Sequence, residues 1–305
     1  MKLSAENNHL LQKRFQQVLQ PVEICVTAIA STFVSALIFY CRCFELRHKD
    51  SGVATILTAL CILISGLVVL VAFLRCRNRR PARPWIVAAV LLIAAVVSGF
   101  AEGDQKWYKH TASYFLYGSM ASYVNVDPGA DQGQTFMDAG TIYFKDGSFV
   151  LGTKSLAFRN GKTYCVAPIL HDTPPTNQSG SQVGRSAPTR SGTVDFWAVG
   201  TDCCGRGGTF TCDDAESGLA RSGLRLLDDS ARSMYLLAVQ EWSAGTGIPV
   251  RHPVFFHWVK DPLAVTERIY SEVWQDYELY CIVFFLCSGV AAFAMHRFLL
   301  DFKVS

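Results

Sequence analysis

Residues 53–74 read VATILTALCILISGLVVLVAFL, an apolar stretch without a charged side chain. A transmembrane helix needs roughly 20 such residues, so this stretch predicts a membrane span. On either side of it, three further apolar stretches occur at residues 22–44, 85–100 and 279–295. The last two are short and need their flanking residues to reach the required length. The sequence therefore predicts four transmembrane helices.

The overall composition agrees with this reading of the apolar stretches. Half of the 305 residues are hydrophobic and only 17% are charged, against about 25% in a typical soluble domain. The hydrophobic excess is concentrated in the four stretches rather than spread along the chain. Such a distribution excludes a disordered, collagen-like or coiled-coil protein and argues against a plain cytosolic enzyme.

The basic residues in the short loops predict the orientation of the chain, because such residues favour the cytoplasmic side of a membrane. The N-terminal tail, the loop 75–83 and the C-terminal tail hold three, five and two lysines or arginines, against three in the loop between the first two spans. Both termini are therefore expected in the cytoplasm of an integral protein of the plasma membrane or an endomembrane. The expected organisation is a cytoplasmic tail at 1–21, three spans with short loops at 22–100, an extracytoplasmic domain at 101–275, and a fourth span with a cytoplasmic tail at 276–305.

The net charge of +3 divides unequally between these parts. Residues 102–275 hold 15 basic and 18 acidic side chains, and the rest of the chain holds 13 basic and 7 acidic ones. The positive charge therefore belongs to the membrane part and reflects its topology. We predict the lipid bilayer as a partner and no nucleic-acid binding.

The long segment between the third and fourth spans is predicted to be rich in β-structure. Asp146-Gly147 and Asn160-Gly161 suit the tight turns of hairpins, and each lies between two short apolar runs. We expect a meander here, followed by strands at 193–200 and 252–260. A helix is predicted from Asp229-Ser230 to about Trp242, with Met234, Leu237, Ala238 and Glu241 on one side. Pro262 is expected to open a helix that continues into the fourth span.

Four cysteines fall in this predicted outer domain: Cys165, Cys203, Cys204 and Cys212. An even number in an oxidising compartment predicts two disulfides. A bond between the adjacent Cys203 and Cys204 would be strained, which leaves two pairings open. A zinc site is disfavoured because these two cysteines lack the usual ligand spacing. Asn177-Gln178-Ser179 is the one Asn-x-Ser/Thr triplet in the chain, so Asn177 is the candidate for glycosylation.

No catalytic, cofactor-binding or metal-binding residues are predicted. His252 and His257 are five residues apart, a spacing that directs them to opposite faces of a strand. The acidic residues around the cysteines lack the spacing of a calcium-binding loop and are expected to form a solvated acidic loop; they are Asp202, Asp213, Asp214 and Glu216. Nucleophile-elbow, zinc-protease and dinucleotide-binding motifs are also lacking.

Two resemblances bear on the layout. The four spans, the large second outer loop and Cys203-Cys204-Gly205 resemble the tetraspanin plan, although this outer loop is predicted to be β-rich and one cysteine precedes the motif. More specific stretches are similar to a group of multi-span membrane proteins from unicellular algae: TYCVAPI at 163–169, VDFWAVGTDCC at 194–204, GLRL at 223–226 and HPVFFHWVKDP at 252–262. This second resemblance covers most of the outer domain and implies four spans with a cysteine-bearing domain. It implies no catalytic residue.

The predicted fold is an α+β membrane protein with four transmembrane helices and a β-rich, disulfide-tied extracytoplasmic domain. The first functional hypothesis is a non-catalytic outer domain that binds a protein or glycan ligand. The alternatives are a subunit of a channel or transporter and a membrane-anchored enzyme. Small-residue faces on the first and fourth spans would suit a homo-oligomer; they consist of Thr27, Ser31 and Ser35, and of Ser288 and Ala292.

Overall fold

A computed structural model describes residues 2–79, 82–171, 192–205 and 209–301. The chain divides into two compact units. Residues 1–112 and 269–305 form the helical unit, and residues 113–268 form a second unit that we call the sheet domain. Asn177 lies outside the described residues.

The predicted apolar stretches lie in helices that are long and apolar enough to cross a membrane. These candidate spans are Pro21–Cys43, Ser51–Arg77, Arg83–Ser119 and Pro262–Phe298. The third is longer than predicted because the helix does not end near residue 100. It continues through a π-helical turn at Trp107–Thr111 to Ser119. The α-helices of the described chain are α1 (Lys2–Cys43), α2 (Glu45–Lys49), α3 (Ser51–Arg77), α4 (Arg83–Lys106), α5 (Ala112–Ser119), α6 (Asp229–Thr246) and α7 (Pro262–Asp301).

Helices α1 and α4 pack closely because α4 presents two glycines at the contact. A Cβ atom on Gly99 would lie 2.6 Å from the carbonyl oxygen of Ser35, and one on Gly103 would lie 2.8 Å from the Cβ of Arg42. Small residues four positions apart let two helix backbones approach each other in this way. The same two helices are joined by an ion pair in which Arg42 donates two hydrogen bonds to Asp104, at 2.9 and 2.7 Å.

Helix α7 meets α1 through large aromatic side chains. Phe39 and Phe44 are buried, and they contact Trp274, Tyr277 and Tyr280 with ring centroids 4.4–5.4 Å apart. Aromatic rings at these separations attract each other in tilted and edge-on arrangements. At this level the contact between α7 and the end of α1 therefore depends on large aromatic side chains.

The predicted small-residue faces lie inside the helical unit. Ser31, Ser35 and Ala292 are completely buried, and Ser288 is 4% exposed. Ser288 also lies 3.5 Å from the hydroxyl of Thr32, so α1 and α7 meet at this level. Helices of the same chain cover Ser31, Ser35, Ser288 and Ala292, whereas Thr27 is half-buried. A homo-oligomer through these faces stays a prediction.

Many apolar side chains of the described spans are exposed. The exposed side chains on α3 alone include Ile56, Leu63, Leu67, Leu70 and Phe73, each at least half exposed. A soluble protein rarely exposes a continuous apolar surface of this extent. Lipid chains are the environment that suits it.

The sheet domain contains one mixed sheet of eight strands. They are β1 (Ala121–Val126), β2 (Ala139–Phe144), β3 (Ser148–Val150), β4 (Leu156–Asn160), β5 (Lys162–His171), β6 (Phe196–Thr201), β7 (Ser222–Arg225) and β8 (Val254–Val259). Their order is β1-β2-β7-β8-β6-β5-β3, and β4 pairs with the first half of β5. The β1–β2 and β6–β8 pairs are parallel.

The prediction of two successive hairpins is half correct. Strands β4 and β5 form the hairpin expected at Asn160-Gly161, where Gly161 has a positive φ of 71°. The turn at Asp146-Gly147 does not pair β2 with β3. Strand β2 pairs with β1 and β7, while β3 pairs with the end of β5, so the predicted meander is wrong at this point.

Both faces of the sheet are buried at its centre, as the alternation along β6 shows. Phe196 and Ala198 point into one core with Phe256, whereas Trp197 and Val199 point into the other core. Helix α6 covers the second face, where Trp197 and Trp242 lie edge to face with ring centroids 4.9 Å apart. Period-two alternation with no polar face is typical of a sheet covered on both sides.

The predicted α6 is present, but two details of the prediction are wrong. The N-cap is Asp228, whose side chain accepts hydrogen bonds from the backbone of Ser230 and Ala231. The hydrogen bond from the Ser230 side chain is the main reason that the pKa of Asp228 lies below its usual value. The buried face consists of Ala231, Tyr235, Ala238, Val239 and Trp242. Of the residues predicted for this face, Ala238 is buried and Leu237 is exposed.

Candidate binding site

An open cleft of about 770 Å³ lies on the sheet domain between two short segments of chain. One wall is the β2–β3 turn and the start of β3, at residues 146–149, and the other wall is the segment 218–221. Lys260, the residue after β8, completes the lining. Clefts of this size are typical of ligand-binding sites in proteins.

Two disulfides stabilise the segment that leads to the cleft. Cys165 on β5 is bonded to Cys204, and Cys203 is bonded to Cys212. This is one of the two pairings that the sequence left open. The first disulfide ties the loop after β6 to the sheet, and the second joins two cysteines nine positions apart.

The backbone around these disulfides is arranged to admit them. Thr211 donates to the carbonyl of Cys203 at 3.0 Å, and Cys204 forms an isolated antiparallel bridge with Phe210. Gly200 on β6 has no side chain at the point where the sulfurs pass. A Cβ there would lie 2.6 Å from the Sγ atoms of both Cys203 and Cys212.

The sulfur atoms form a compact group. The Sγ atoms of Cys165, Cys203 and Cys212 lie within 4.8 Å of one another, a separation that could also suit a metal ion. All three cysteines are in disulfides, however, and a metal requires the thiolate form. The group therefore acts as a crosslink between the loop and the sheet.

The acidic residues near the cysteines are dispersed among separate partners. Asp202 accepts a hydrogen bond from the backbone of Thr163 at 2.9 Å. Asp214 accepts one from the backbone N–H of Lys260 at 2.8 Å. Because these two carboxylates hold different parts of the backbone, they do not converge on a common cation site. They attach the cysteine loop to the ends of β5 and β8.

The structure brings together His257 and Asp213, which the sequence did not connect. The His257 Nδ1 and Asp213 Oδ2 atoms are 3.1 Å apart, and each side chain is about one-third exposed. His252 lies before β8, and its backbone N–H donates a hydrogen bond to Oδ1 of Asp195, with N and O 3.4 Å apart. The two histidines thus have different partners. A histidine–aspartate pair can orient an imidazole as a base, but it supplies no nucleophile.

The mouth of the cleft combines charge with an exposed apolar side chain. Arg221 forms an ion pair with Asp146 on the opposite wall. Among the described residues, Lys260 has no ion-pair partner, so the lining holds two cations and one carboxylate. Leu219 is 71% exposed between them. The lining therefore offers an apolar contact beside two cations and one carboxylate.

The cleft was not predicted from the sequence. Its walls come from the turn at Asp146-Gly147 and from a segment 70 residues later, and they meet because β2 pairs with β7. The backbone N–H of Phe144 donates to the carbonyl of Arg221 at 2.9 Å, which fixes the two walls side by side. Only the wall at Asp146-Gly147 had a signal in the sequence, which was the Asp-Gly turn itself.

Comparisons with known proteins found no relative of this chain. No protein-family model, no curated protein and no solved structure matches the chain. The similarity to membrane proteins of unicellular algae therefore stays a prediction from the sequence.

Proposed function

We propose that the chain is an integral membrane protein of the plasma membrane or an endomembrane, with both termini in the cytoplasm and the sheet domain on the other side. In this proposal the sheet domain is not catalytic, and its cleft binds an acidic segment of a protein partner. The observation that carries the proposal is the cleft, whose lining holds two cations against one carboxylate and whose wall follows a disulfide-bonded loop.

The attachment of the cleft wall supports a binding role. The segment after Cys212 is held by the disulfide to Cys203 and by the hydrogen bonds between Asp214 and the end of β8. Asp214 also donates its backbone N–H to the carbonyl of Trp258 at 3.0 Å. A loop fixed before binding loses less conformational entropy when a ligand arrives, which favours affinity.

The character of the lining supports a protein ligand over a glycan. Leu219 offers aliphatic surface, and Arg221 and Lys260 add two cations to the same lining. An apolar centre with a polar rim is the usual anatomy of a protein interface. Charged rim residues also steer a partner of opposite charge towards the site.

A channel or transporter function has less support in the helical unit. Ser31, Thr58 and Ser65 are buried, but each hydroxyl donates to a carbonyl of its own helix at 2.8–3.0 Å. These groups therefore do not form a polar path. His296 is buried near the end of α7, and its Nε2 has no hydrogen-bond partner among the described residues. A transport function would have to depend on groups of this kind.

The proposal is tested by photo-crosslinking in the native membrane. A photoreactive residue replaces Leu219 in the cleft or, as a control, the exposed Leu237 on α6. We expect a discrete protein adduct at position 219 that is absent at 237. Lys260→Glu should abolish the adduct by reversing a cleft charge, whereas Lys154→Glu, an exposed lysine outside the cleft lining, should leave it unchanged.

Three results would contradict this proposal. Equal labelling from positions 219 and 237 would mean that the cleft is not the binding surface. An adduct that consists of carbohydrate would replace the protein ligand by a glycan. Loss of an activity in His257→Ala with an unchanged adduct would favour the enzyme alternative.

A further inference from the structure

A second site lies in the helical unit, in a groove between α4 and α7. Because α1 and α4 meet through the glycines at 99 and 103 while α7 is held by aromatic side chains, a groove of about 350 Å³ remains between α4 and α7. Phe39, Val283 and Phe284 line its apolar part. Glu102, Lys106 and Asp276 line its charged end.

The groove has the length of one lipid leaflet. On α7 its lining extends from Asp276 to Cys287. At 1.5 Å per residue these positions span about 16 Å along the helix, roughly half of the hydrocarbon thickness of a bilayer. An acyl chain lying along α7 would therefore reach from the charged end to the middle of the membrane.

The one hydroxyl in the groove lining, that of Tyr280, already has hydrogen-bond partners, so it leaves the groove apolar. Tyr280 lies within hydrogen-bonding distance of the hydroxyls of Ser35 and Ser98, the latter at 3.0 Å. These partners belong to α1 and α4, so the phenol oxygen points into the helix bundle and the ring faces the groove. An apolar void beside lipid gains dispersion contacts when a hydrocarbon chain fills it.

The charged end carries both signs in an arrangement that suits a zwitterion. Lys106 Nζ lies 2.5 Å from Asp276 Oδ2, and Glu102 lines the same end without an ion-pair partner among the described residues. The Lys106 ammonium can donate hydrogen bonds to a phosphate, and the two carboxylates can accept hydrogen bonds from an amine. A quaternary ammonium has no N–H to donate, and an anionic headgroup would meet excess negative charge.

We propose that this groove binds a phospholipid whose zwitterionic headgroup bears a primary amine, of the phosphatidylethanolamine type. Its phosphate faces Lys106, its ammonium donates to Glu102 and Asp276, and one acyl chain lies along Val283 and Phe284. The site rests on the proposed membrane location of the helices and is independent of the ligand in the cleft.

Native mass spectrometry of the full-length protein tests the site. The protein is released from micelles that contain equal amounts of phosphatidylethanolamine, phosphatidylcholine and phosphatidylglycerol with identical acyl chains. We expect the ethanolamine lipid to be retained about tenfold more than either competitor, the ratio expected for one additional charge-assisted hydrogen bond. Glu102→Gln should remove most of this preference while leaving the helix packing intact.

A pair of tryptophan substitutions tests the position of the lipid. Val283→Trp fills the groove and should abolish retention, whereas Ile282→Trp, on a residue that is 60% exposed outside the groove, should not. Equal retention of the three lipids, a preference for the glycerol lipid, or an unchanged preference in Glu102→Gln would overturn the headgroup assignment. Equal effects of the two tryptophans would overturn the groove as the site. If Val283→Trp does not fold, Glu102→Gln still decides the question.

Discussion

Removal of each disulfide should destabilise the sheet domain by an amount set by the loop that the bond closes. The bonds Cys165–Cys204 and Cys203–Cys212 have sequence separations of 39 and 9. In the chain-entropy relation, loops of about 40 and about 10 residues correspond to about 3.9 and about 2.7 kcal/mol at 25 °C. We therefore expect the double substitution Cys165→Ala/Cys204→Ala to lower the free energy of unfolding by about 1.2 kcal/mol more than Cys203→Ala/Cys212→Ala.

The free energy of unfolding is measured by pulse proteolysis in urea on the full-length protein in detergent micelles. Double substitutions are used so that no unpaired cysteine is left to form a new bond. Cys76→Ala serves as the control because this cysteine is free and exposed, and it should change nothing. If loss of Cys203–Cys212 is the more costly change, loop length does not set the stabilisation. If neither loss has an effect, the crosslinks are not those of the folded domain.

Three further substitutions test local features of the structure. Gly200→Ala places a methyl group 2.6 Å from two sulfurs and should lower the free energy of unfolding of the sheet domain by about 1–3 kcal/mol, whereas Gly245→Ala, in open space on α6, should raise it by about 0.5–1 kcal/mol. Urea unfolding of both variants checks this pair, and equal effects would contradict the role of Gly200. Asp228→Ala should cost about 1 kcal/mol near neutral pH. Because the pKa of Asp228 is lowered in the folded state, the difference from wild type should persist above the usual aspartate pKa and disappear as the pH falls through the lowered value; a difference that grows in acid would contradict this. Gly99→Ala should separate α1 from α4 and lower the melting temperature of the helical unit, while Gly66→Ala, with nothing within 4 Å of its Cβ, should not; equal shifts in thermal unfolding followed by circular dichroism would contradict the packing.

Features set by local chemistry were predictable from the sequence. The apolar stretch at 53–74 has the length of a span whatever surrounds it. The hairpin at Asn160-Gly161 formed as expected because Gly161 readily adopts positive φ and the two strands are adjacent in the chain. In both cases the residues that decide the structure lie within a few positions of each other.

Features that depend on distant parts of the chain were not predictable. Strand β2 has its partners in β1 and β7, and β7 lies some 80 residues away, so the turn at Asp146-Gly147 gave a false hairpin. The pair of His257 and Asp213 is 44 residues apart and exists because the cysteine loop is attached to β8. The adjacency of Cys203 and Cys204 hid the pairing, since both alternatives place the same elements together.

The buried face of α6 shows a third reason why sequence alone does not predict the structure. The predicted stripe included Leu237, which is exposed, and omitted Tyr235 and Trp242, which pack on the sheet. Helical spacing defines several stripes on a helix of mixed composition. The stripe that is buried depends on the sheet face that receives it, here Trp197 and Phe255.

The proposed binding function requires the sheet domain to face away from the cytoplasm, and glycosylation reports this most directly. In a glycosylating cell, the wild-type protein should lose mass on glycosidase treatment, and Asn177→Gln should not respond. His9→Thr creates an acceptor triplet at Asn7 in the N-terminal tail, and in the Asn177→Gln background it should stay unmodified. A glycan at Asn7 together with an unmodified Asn177 would invert the orientation and contradict the proposed function.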